Sequence, residues 1–194
     1  MAILCIITLA ILFASTTPSR CVDPKTFSTL LPNHEVNFHK LTTPDDYNLI
    51  LFHVKSNNPP ESSTPPKGIF ESPLNKVILI MHGVFDSSDN FAAMDNSIVE
   101  QLSDRGYDIW LGNNRGNKYS CSHNKYTPAM KQFWDFSFQE MAEFDLPVFI
   151  QFVKDETGRD QITLMGHSQG GTQIVAALSE SSEMQDSLSM PLVE

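Results

Sequence analysis

The hexapeptide at residues 166–171 (GHSQGG) constrains the possible fold more than any other segment of the chain. It directly follows residues 161–165 (QITLM), an apolar run typical of a buried strand, and precedes a predicted helix. Glycines on both sides of the serine permit a sharp strand-to-helix turn, because side chains there would collide with neighbouring backbone. The turn places the serine at a helix N-terminus, where the helix dipole favours a developing anion. We therefore predict a nucleophile elbow in which Ser168 is the nucleophile and Gly166 and Gly170 are the required glycines.

Predicted strands and helices alternate along the chain. The predicted strands are residues 47–54, 77–81, 107–111 and 161–165, and the predicted helices are residues 97–103, 137–154 and 170–178. We expect a kink or break at Pro147 within the second helix. Residues 56–73 contain five prolines and indicate an exposed loop. The alternation predicts an α/β domain with a mainly parallel sheet.

A second motif, His82-Gly83, follows the apolar strand of residues 77–81 (VILIM). A glycine after a buried strand lets the backbone turn and direct an N–H group towards a reacting atom, so we assign the Val84 and Gln169 N–H groups as the oxyanion hole. We interpret His82 as a structural residue, and His167 cannot be the general base because it directly precedes the nucleophile. The other histidines have no motif context and are interpreted as surface or structural residues: His34, His39, His53 and His123.

Four ordered segments closely resemble the eukaryotic acid lipases, the group of gastric and lysosomal acid lipases: HGVFDSSDNF, YDIWLGNNRGNKYS, FWDFSFQEMAEFDLP and GHSQGGT. The resemblance covers residues 33–177. It implies an α/β-hydrolase fold, Ser168 as nucleophile, and hydrolysis of triacylglycerols or sterol esters at a lipid–water interface, with no cofactor and no metal. It also implies a lipase-associated N-terminal region at residues 33–95 and a partial hydrolase core at residues 76–194.

Two further groups in these segments have alternative interpretations. Arg115, in the sequence NNRGN, either shapes the rim of the active site or binds loop carbonyls, and we favour the structural role. An aromatic cluster either borders an acyl-binding site or packs in the core, and we favour the core: Phe133, Trp134, Phe136 and Phe138.

Charge and the N-terminus indicate a compartment. The formal net charge of −10 argues against nucleic-acid binding, which requires clustered Lys and Arg. Residues 2–14 are almost wholly apolar, too short for a comfortable membrane span, so we predict a signal peptide at residues 1–20; an uncleaved anchor is the alternative. We expect a secreted or lysosomal protein without a stable transmembrane span. After cleavage, Cys21 and Cys121 permit one disulfide, but the sequence does not show whether they pair.

The segment after the nucleophile lacks a histidine, and we expect no strand to carry its acids, such as Asp186 and Glu194. In α/β-hydrolases the triad acid and histidine follow the serine in chain order. We therefore expect an incomplete chain, inactive alone, that lacks the late strands and the cap and whose unpaired strand 161–165 promotes association. Two alternatives stay open: an inactive lipid- or partner-binding module, and a peptidase or other hydrolase on the same fold.

Overall fold

The computed structural model describes residues 21–58, 77–180, 186 and 188–193, which form a mixed sheet with helices on both faces. The predicted signal peptide and most of the proline-rich loop lie outside the described residues. The strands are β1 (His34–Thr42), β2 (Tyr47–Ser56), β3 (Val77–Met81), β4 (Asp108–Asn113), β5 (Ser122–His123), β6 (Ile162–Gly166) and β7 (Leu188–Val193). Their order is β1-β2-β4-β3-β6-β7, and β5 pairs with β2.

Strand β3 lies at the centre of the sheet, between β4 and β6, and pairs with both in parallel. All five of its residues are buried. Its alternate side chains enter two different clusters, because successive side chains of a strand point to opposite faces. Leu79 packs with Trp110, Phe149 and Leu164 on one face, whereas Ile80 packs with other apolar side chains on the opposite face. The continuous apolar sequence is therefore that of a strand covered on both faces.

The sheet is less parallel than the sequence predicts. Strand β1 pairs antiparallel with β2 over nine residue pairs, and β2 pairs antiparallel with both β4 and β5. The sequence did not indicate β1, because its nine residues (HEVNFHKLT) mix polar and apolar side chains, and only His34 among them is buried. Its strand conformation depends on pairing with the buried strand β2.

The helices are α1 (Ile98–Ser103), α2 (Phe138–Glu140), α3 (Leu146–Thr157) and α4 (Gln169–Glu180), and a π-helical segment (Met141–Asp145) joins α2 to α3. Short 3₁₀ helices cover Pro24–Leu30, Ser88–Phe91 and Lys131–Trp134. Capping boxes begin α1 at Ser97 and α2 at Ser137. The kink or break expected at Pro147 takes the form of a change in helix type: Pro147 stands in the first turn of α3, where the π-helical segment ends and the chain stays helical. Proline lacks the N–H that would continue the helical bonding from the preceding turn.

The prediction that β6 has no neighbour on the edge away from β3 is wrong, because β7 pairs there. Residues 188–193 pair with β6 in parallel, from Ile162↔Leu188 to Gly166↔Val193. The sequence concealed this strand because Pro191 interrupts it. Proline is tolerated in a strand whose N–H needs no partner, and β7 is the last strand in the order of the described sheet. The expected association through an unpaired β6 edge therefore loses its basis.

A disulfide connects Cys21 to Cys121, resolving the pairing that the sequence left open. The bond attaches the segment before the first 3₁₀ helix to the chain just ahead of β5. Beside it, the Val22 N–H donates a hydrogen bond to the Lys118 carbonyl at 2.8 Å. The disulfide thus cross-links the start of the described chain to the rest of the domain.

Candidate active site

Ser168 lies at the turn between β6 and α4 with a positive φ of 53°, and its side chain is exposed. This left-handed conformation is unfavourable for a residue with a Cβ atom, so the surrounding chain must hold it in place. Both predicted glycines are required by close backbone contacts. A Cβ on Gly166 would lie 2.5 Å from the Gly171 nitrogen, and one on Gly170 would lie 2.4 Å from the Met81 carbonyl oxygen.

The loop after β3 lies directly against this turn. The His167 N–H donates to the Met81 carbonyl at 3.0 Å, which joins the turn to the end of β3. A Cβ on Gly83 would lie 3.4 Å from the Ser168 Cβ. Among the described residues, neither of the predicted oxyanion donors, the N–H groups of Val84 and Gln169, donates a hydrogen bond. Both residues line the cleft that Ser168 also lines.

His82 is 3% exposed and both of its ring nitrogens are engaged. Its Nε2 accepts hydrogen bonds from the Asn114 backbone N–H and the Asn117 amide, each at 3.1 Å. Its Nδ1 must therefore carry the proton, which it donates to the Gly83 carbonyl at 2.7 Å. Burial lowers the pKa of His82 and favours this neutral form. The contacts are those of a structural histidine, as the sequence predicts.

Arg115 is a structural residue, but its partners are carboxylates and not the expected carbonyls. Its guanidinium pairs with Asp145, at 2.8 Å from Nε, and makes a two-point contact with Asp45, at 2.5 and 2.9 Å. The Arg115 N–H also donates to Asp145 at 2.9 Å. Burial raises the pKa of Asp145 to about 6, and the contacts with Arg115 oppose that rise. Burial also acts to raise the pKa of Asp45, but hydrogen bonds and the charge of Arg115 outweigh it and lower that pKa.

The cleft above Ser168 has a volume of about 1110 Å³ and is lined by several apolar side chains. The favoured interpretation of the aromatic cluster as core packing is right for Phe133, which is fully buried, and in part for Phe136, which is half-buried and packs against the core. It is wrong for Trp134 and Phe138, which are exposed. Trp134, Phe136 and Phe138 all line the cleft. Phe85 is fully exposed at the rim, with a positive φ of 56°.

Sequence reasoning missed a buried amide pair beneath the cleft. Asn114 and Gln173 exchange two hydrogen bonds, of 2.9 and 3.1 Å, and are 2% and 0% exposed. A polar glutamine within the apolar sequence of a predicted helix is the signal that could have indicated a buried partner. The described residues contain no group of three or more His, Cys, Asp or Glu side chains arranged to hold a metal. No helix in the same part of the chain is long and apolar enough to cross a membrane.

A serine at a strained strand-to-helix turn, facing the loop after a neighbouring parallel strand, is the arrangement that defines α/β-hydrolases. Sequence comparison agrees with this class. Residues 76–189 match the family model of the α/β-hydrolase fold, and residues 32–95 match that of a partial α/β-hydrolase lipase region. The chain belongs to the α/β-hydrolase family.

Its curated relatives include acid lipases, which confirms the resemblance. The chain is 38% identical to rat gastric triacylglycerol lipase over 69% of its own length and 32% of the relative's. It is 35% identical to a putative lysosomal acid lipase/cholesteryl ester hydrolase of Crotalus adamanteus, over 79% of the chain and 38% of the relative. The chain is also 35% identical to human lipase member K, over 75% of the chain and 35% of the relative. The chain thus spans about a third of the length of the curated relatives it matches.

Solved structures show the same fold at low identity. An esterase of Pyrococcus furiosus matches with a TM-score of 0.53 at 20% identity, covering 87% of this chain and 55% of that one. A carboxyl esterase of Bacillus coagulans matches with a TM-score of 0.55 at 15% identity, covering 81% of this chain and 43% of that one. A prolyl endopeptidase structure also matches, with a TM-score of 0.52 at 16% identity, covering 78% of this chain and 20% of that one. The fold alone therefore does not distinguish esters from peptides as substrates.

Proposed function

We propose that this chain carries the nucleophile and the oxyanion hole of a lipase that hydrolyses triacylglycerols or sterol esters. The observation that carries the proposal is the exposed, strained Ser168, which lies against the Gly83–Val84 loop in a cleft with an apolar wall. Strain of this kind requires support from the surrounding structure, and a module that only binds lipid has no chemical need for it. The identity to acid lipases supports the substrate class.

The chemistry follows from the positions of these groups. The Ser168 Oγ attacks the ester carbonyl carbon, and a general base takes its proton. The carbonyl oxygen becomes an oxyanion, which the N–H groups of Val84 and Gln169 stabilise. When the carbon–oxygen bond to the alcohol breaks, the alcohol leaves with the proton and an acyl-serine remains. Water then hydrolyses this intermediate and restores the free serine.

The two histidines nearest to the elbow are not suited to be this base. His82 uses one ring nitrogen as a donor and the other as an acceptor inside the protein. His167 is the residue directly before the nucleophile, and its ring lies against Gly83. In α/β-hydrolases the triad acid and histidine come after the serine along the chain.

The lining of the cleft favours lipid esters over peptides. Trp134, Phe136, Phe138 and Met141 form an apolar wall near the serine, and an acyl chain would lose contact with water against it. Val84 and Phe85 extend the apolar surface to the rim, where they are exposed. A peptide substrate would instead need partners for its backbone N–H and C=O groups, and this apolar wall offers none. Polar side chains elsewhere in the lining, such as Asn117 and Thr172, leave a peptidase as the second candidate.

We infer an acidic or extracellular destination in the secretory pathway. The disulfide between Cys21 and Cys121 supports an oxidising compartment, because cytosolic thiols are kept reduced. The apolar N-terminal segment supports the same route, and the names of the gastric and lysosomal relatives agree with it.

The proposal is tested with the protein secreted from its complete coding sequence. We expect it to release fatty acid from triolein or cholesteryl oleate and to be labelled by an alkyl fluorophosphonate, and Ser168→Ala to lose both properties. Ser179→Ala is the matched control, since Ser179 is exposed near the end of α4 and bonds only the Ala176 carbonyl. Hydrolysis that persists in Ser168→Ala would refute Ser168 as nucleophile. Binding of lipid vesicles without any hydrolysis would favour the inactive binding module.

A further inference from the structure

We propose that Gln173 is a positioning residue for the oxyanion hole, acting through Asn114 on the loop that carries Val84. This inference rests on the proposed function of the site. Gln173 lies on α4 one turn after Gln169, and it is completely buried. Its amide touches neither the nucleophile nor the cleft, so its effect must pass through other residues.

The first step connects α4 to the loop after β4. The Asn114 amide donates to Gln173 Oε1 at 2.9 Å, and the Gln173 amide donates to Asn114 Oδ1 at 3.1 Å. Gln173 also donates to the Met141 carbonyl at 3.4 Å, and the neighbouring Gln169 amide contacts the Met141 sulfur. With both of its amide groups satisfied, the pair is stable in the interior. Truncating either member would leave buried polar atoms unpaired.

The second step connects Asn114 to the loop after β3. The Asn114 backbone N–H donates to His82 Nε2, and the same ring donates from Nδ1 to the Gly83 carbonyl. The carbonyl of Gly83 and the N–H of Val84 belong to one planar peptide group and point in opposite directions. Holding the Gly83 oxygen therefore sets the direction of the Val84 N–H. Through Asn114 and His82, Gln173 connects the helix that begins at Gln169 to the peptide that carries the other donor.

A backbone hydrogen bond between His167 and Met81 already joins the two sides of the site. That bond fixes the end of β3, but it lies before the Gly83–Val84 peptide and does not determine how this peptide is rotated. The side-chain series His82–Asn114–Gln173 acts beyond that point. Small rotations matter here, because a donor displaced by about 1 Å can cost roughly 100-fold in rate.

The test is a rescue experiment on the full protein. In Gln173→Leu we expect kcat for a soluble short-chain p-nitrophenyl ester to fall about 10- to 100-fold with little change in KM. The double variant Asn114→Gln/Gln173→Asn restores an amide pair of the same total length, and we expect it to recover most of the lost kcat. Gln151→Leu is the control, because Gln151 is exposed on α3 and bonds only Asp155.

Hydrogen exchange separates failure of this inference from failure of the proposed function. We expect Gln173→Leu to accelerate amide exchange in residues 82–88 more than in β2 or α1, whether or not the protein hydrolyses esters. Unchanged exchange in residues 82–88 would overturn the coupling, and unchanged kcat in an active protein would overturn the positioning role. A uniform increase in exchange across the domain would also overturn it, because it would show a general loss of stability. Ester hydrolysis absent from the wild type would count against the proposed function alone.

Discussion

A single methyl group has different consequences at two glycines of this chain. Gly158 ends α3 with a φ of 64°, and a Cβ there would meet no atom within 4 Å. Gly170 is the second residue of α4, and a Cβ there would lie 2.4 Å from the Met81 carbonyl oxygen. At Gly158 a side chain is unfavourable only because of the left-handed backbone conformation. At Gly170 a side chain would collide with the backbone of Met81.

We therefore expect Gly170→Ala to cost about 3 kcal/mol or more in the free energy of unfolding. Gly158→Ala should cost about 1 kcal/mol, the penalty of a left-handed residue with a Cβ. Urea unfolding of both variants beside the wild type measures the two costs. Equal costs would show that the β3–α4 contact is not close enough to exclude a methyl group.

The buried His82 gives the free energy of unfolding a dependence on pH. Burial lowers the pKa of His82 in the folded state, so below about pH 6.5 the unfolded chain takes up a proton that the folded chain refuses. The contribution of His82 is present above pH 6.5 and is lost as pH falls towards the lowered pKa. We expect wild-type stability to fall relative to His82→Gln between pH 7 and 5, by at most about 1.4 kcal/mol per pH unit. Parallel stability curves for the two proteins would contradict this.

At the scale of elements, Arg115 joins three segments that are distant in sequence. Its carboxylate partners lie in the turn before β2 (Asp45) and at the end of the π-helical segment (Asp145). Its guanidinium also stacks 4.1 Å from the centre of the Tyr47 ring. These contacts hold the loop after β4, which carries Asn114, in one position against the sheet.

Removing one carboxylate would leave part of a buried charge uncompensated. We expect Asp145→Ala to cost roughly 3–5 kcal/mol in the free energy of unfolding. Asp155→Ala is the matched control, because Asp155 is exposed on α3, and it should cost less than about 0.5 kcal/mol. Chemical unfolding of both variants measures these free energies. A small loss of stability in Asp145→Ala would mean that Asp45 alone compensates the charge of Arg115.

Sequence reasoning identified the elements whose secondary structure is determined by their own residues. Strands β3 and β6 are short, largely apolar runs that end at or near a glycine, and α1 begins with a recognisable capping box. Strands β1 and β7 were missed because they depend on pairing with a neighbour. The first is largely polar and the second contains Pro191. Their conformation is determined by tertiary context, which local patterns do not contain.

The site divides in the same way. Ser168, Gly166 and Gly170 form one contiguous motif, and Val84 follows a strand that is recognisable alone, so sequence could nominate all four. The pairing of Asn114 with Gln173 joins residues on different elements, and no local pattern shows that they meet. The same holds for the cleft-facing aromatic side chains, since exposure depends on what covers them.

For the whole molecule, the disulfide is the strongest covalent constraint in the described chain. It joins cysteines separated by 100 residues, and constraining the unfolded chain over such a loop is worth about 4.7 kcal/mol in the chain-entropy model. We expect Cys21→Ser/Cys121→Ser to lower the urea midpoint accordingly. Dithiothreitol should destabilise the wild type but not the double variant. A double variant as stable as the wild type would show that the bond adds no net stability.

Strand β3 lies beside β6 in the sheet, and Met81 pairs with Gly166 although most of the domain separates them along the chain. The loop after β3 and the turn at Ser168 therefore meet only after this long-range parallel pairing has formed. Pairings of this kind form slowly, because a large loop must close before any contact repays the lost entropy. During synthesis, the loop after β3 therefore emerges from the ribosome well before Ser168, and it has no partner turn until β6 has been made. The arrangement of the proposed site is thus among the last features of the fold to form.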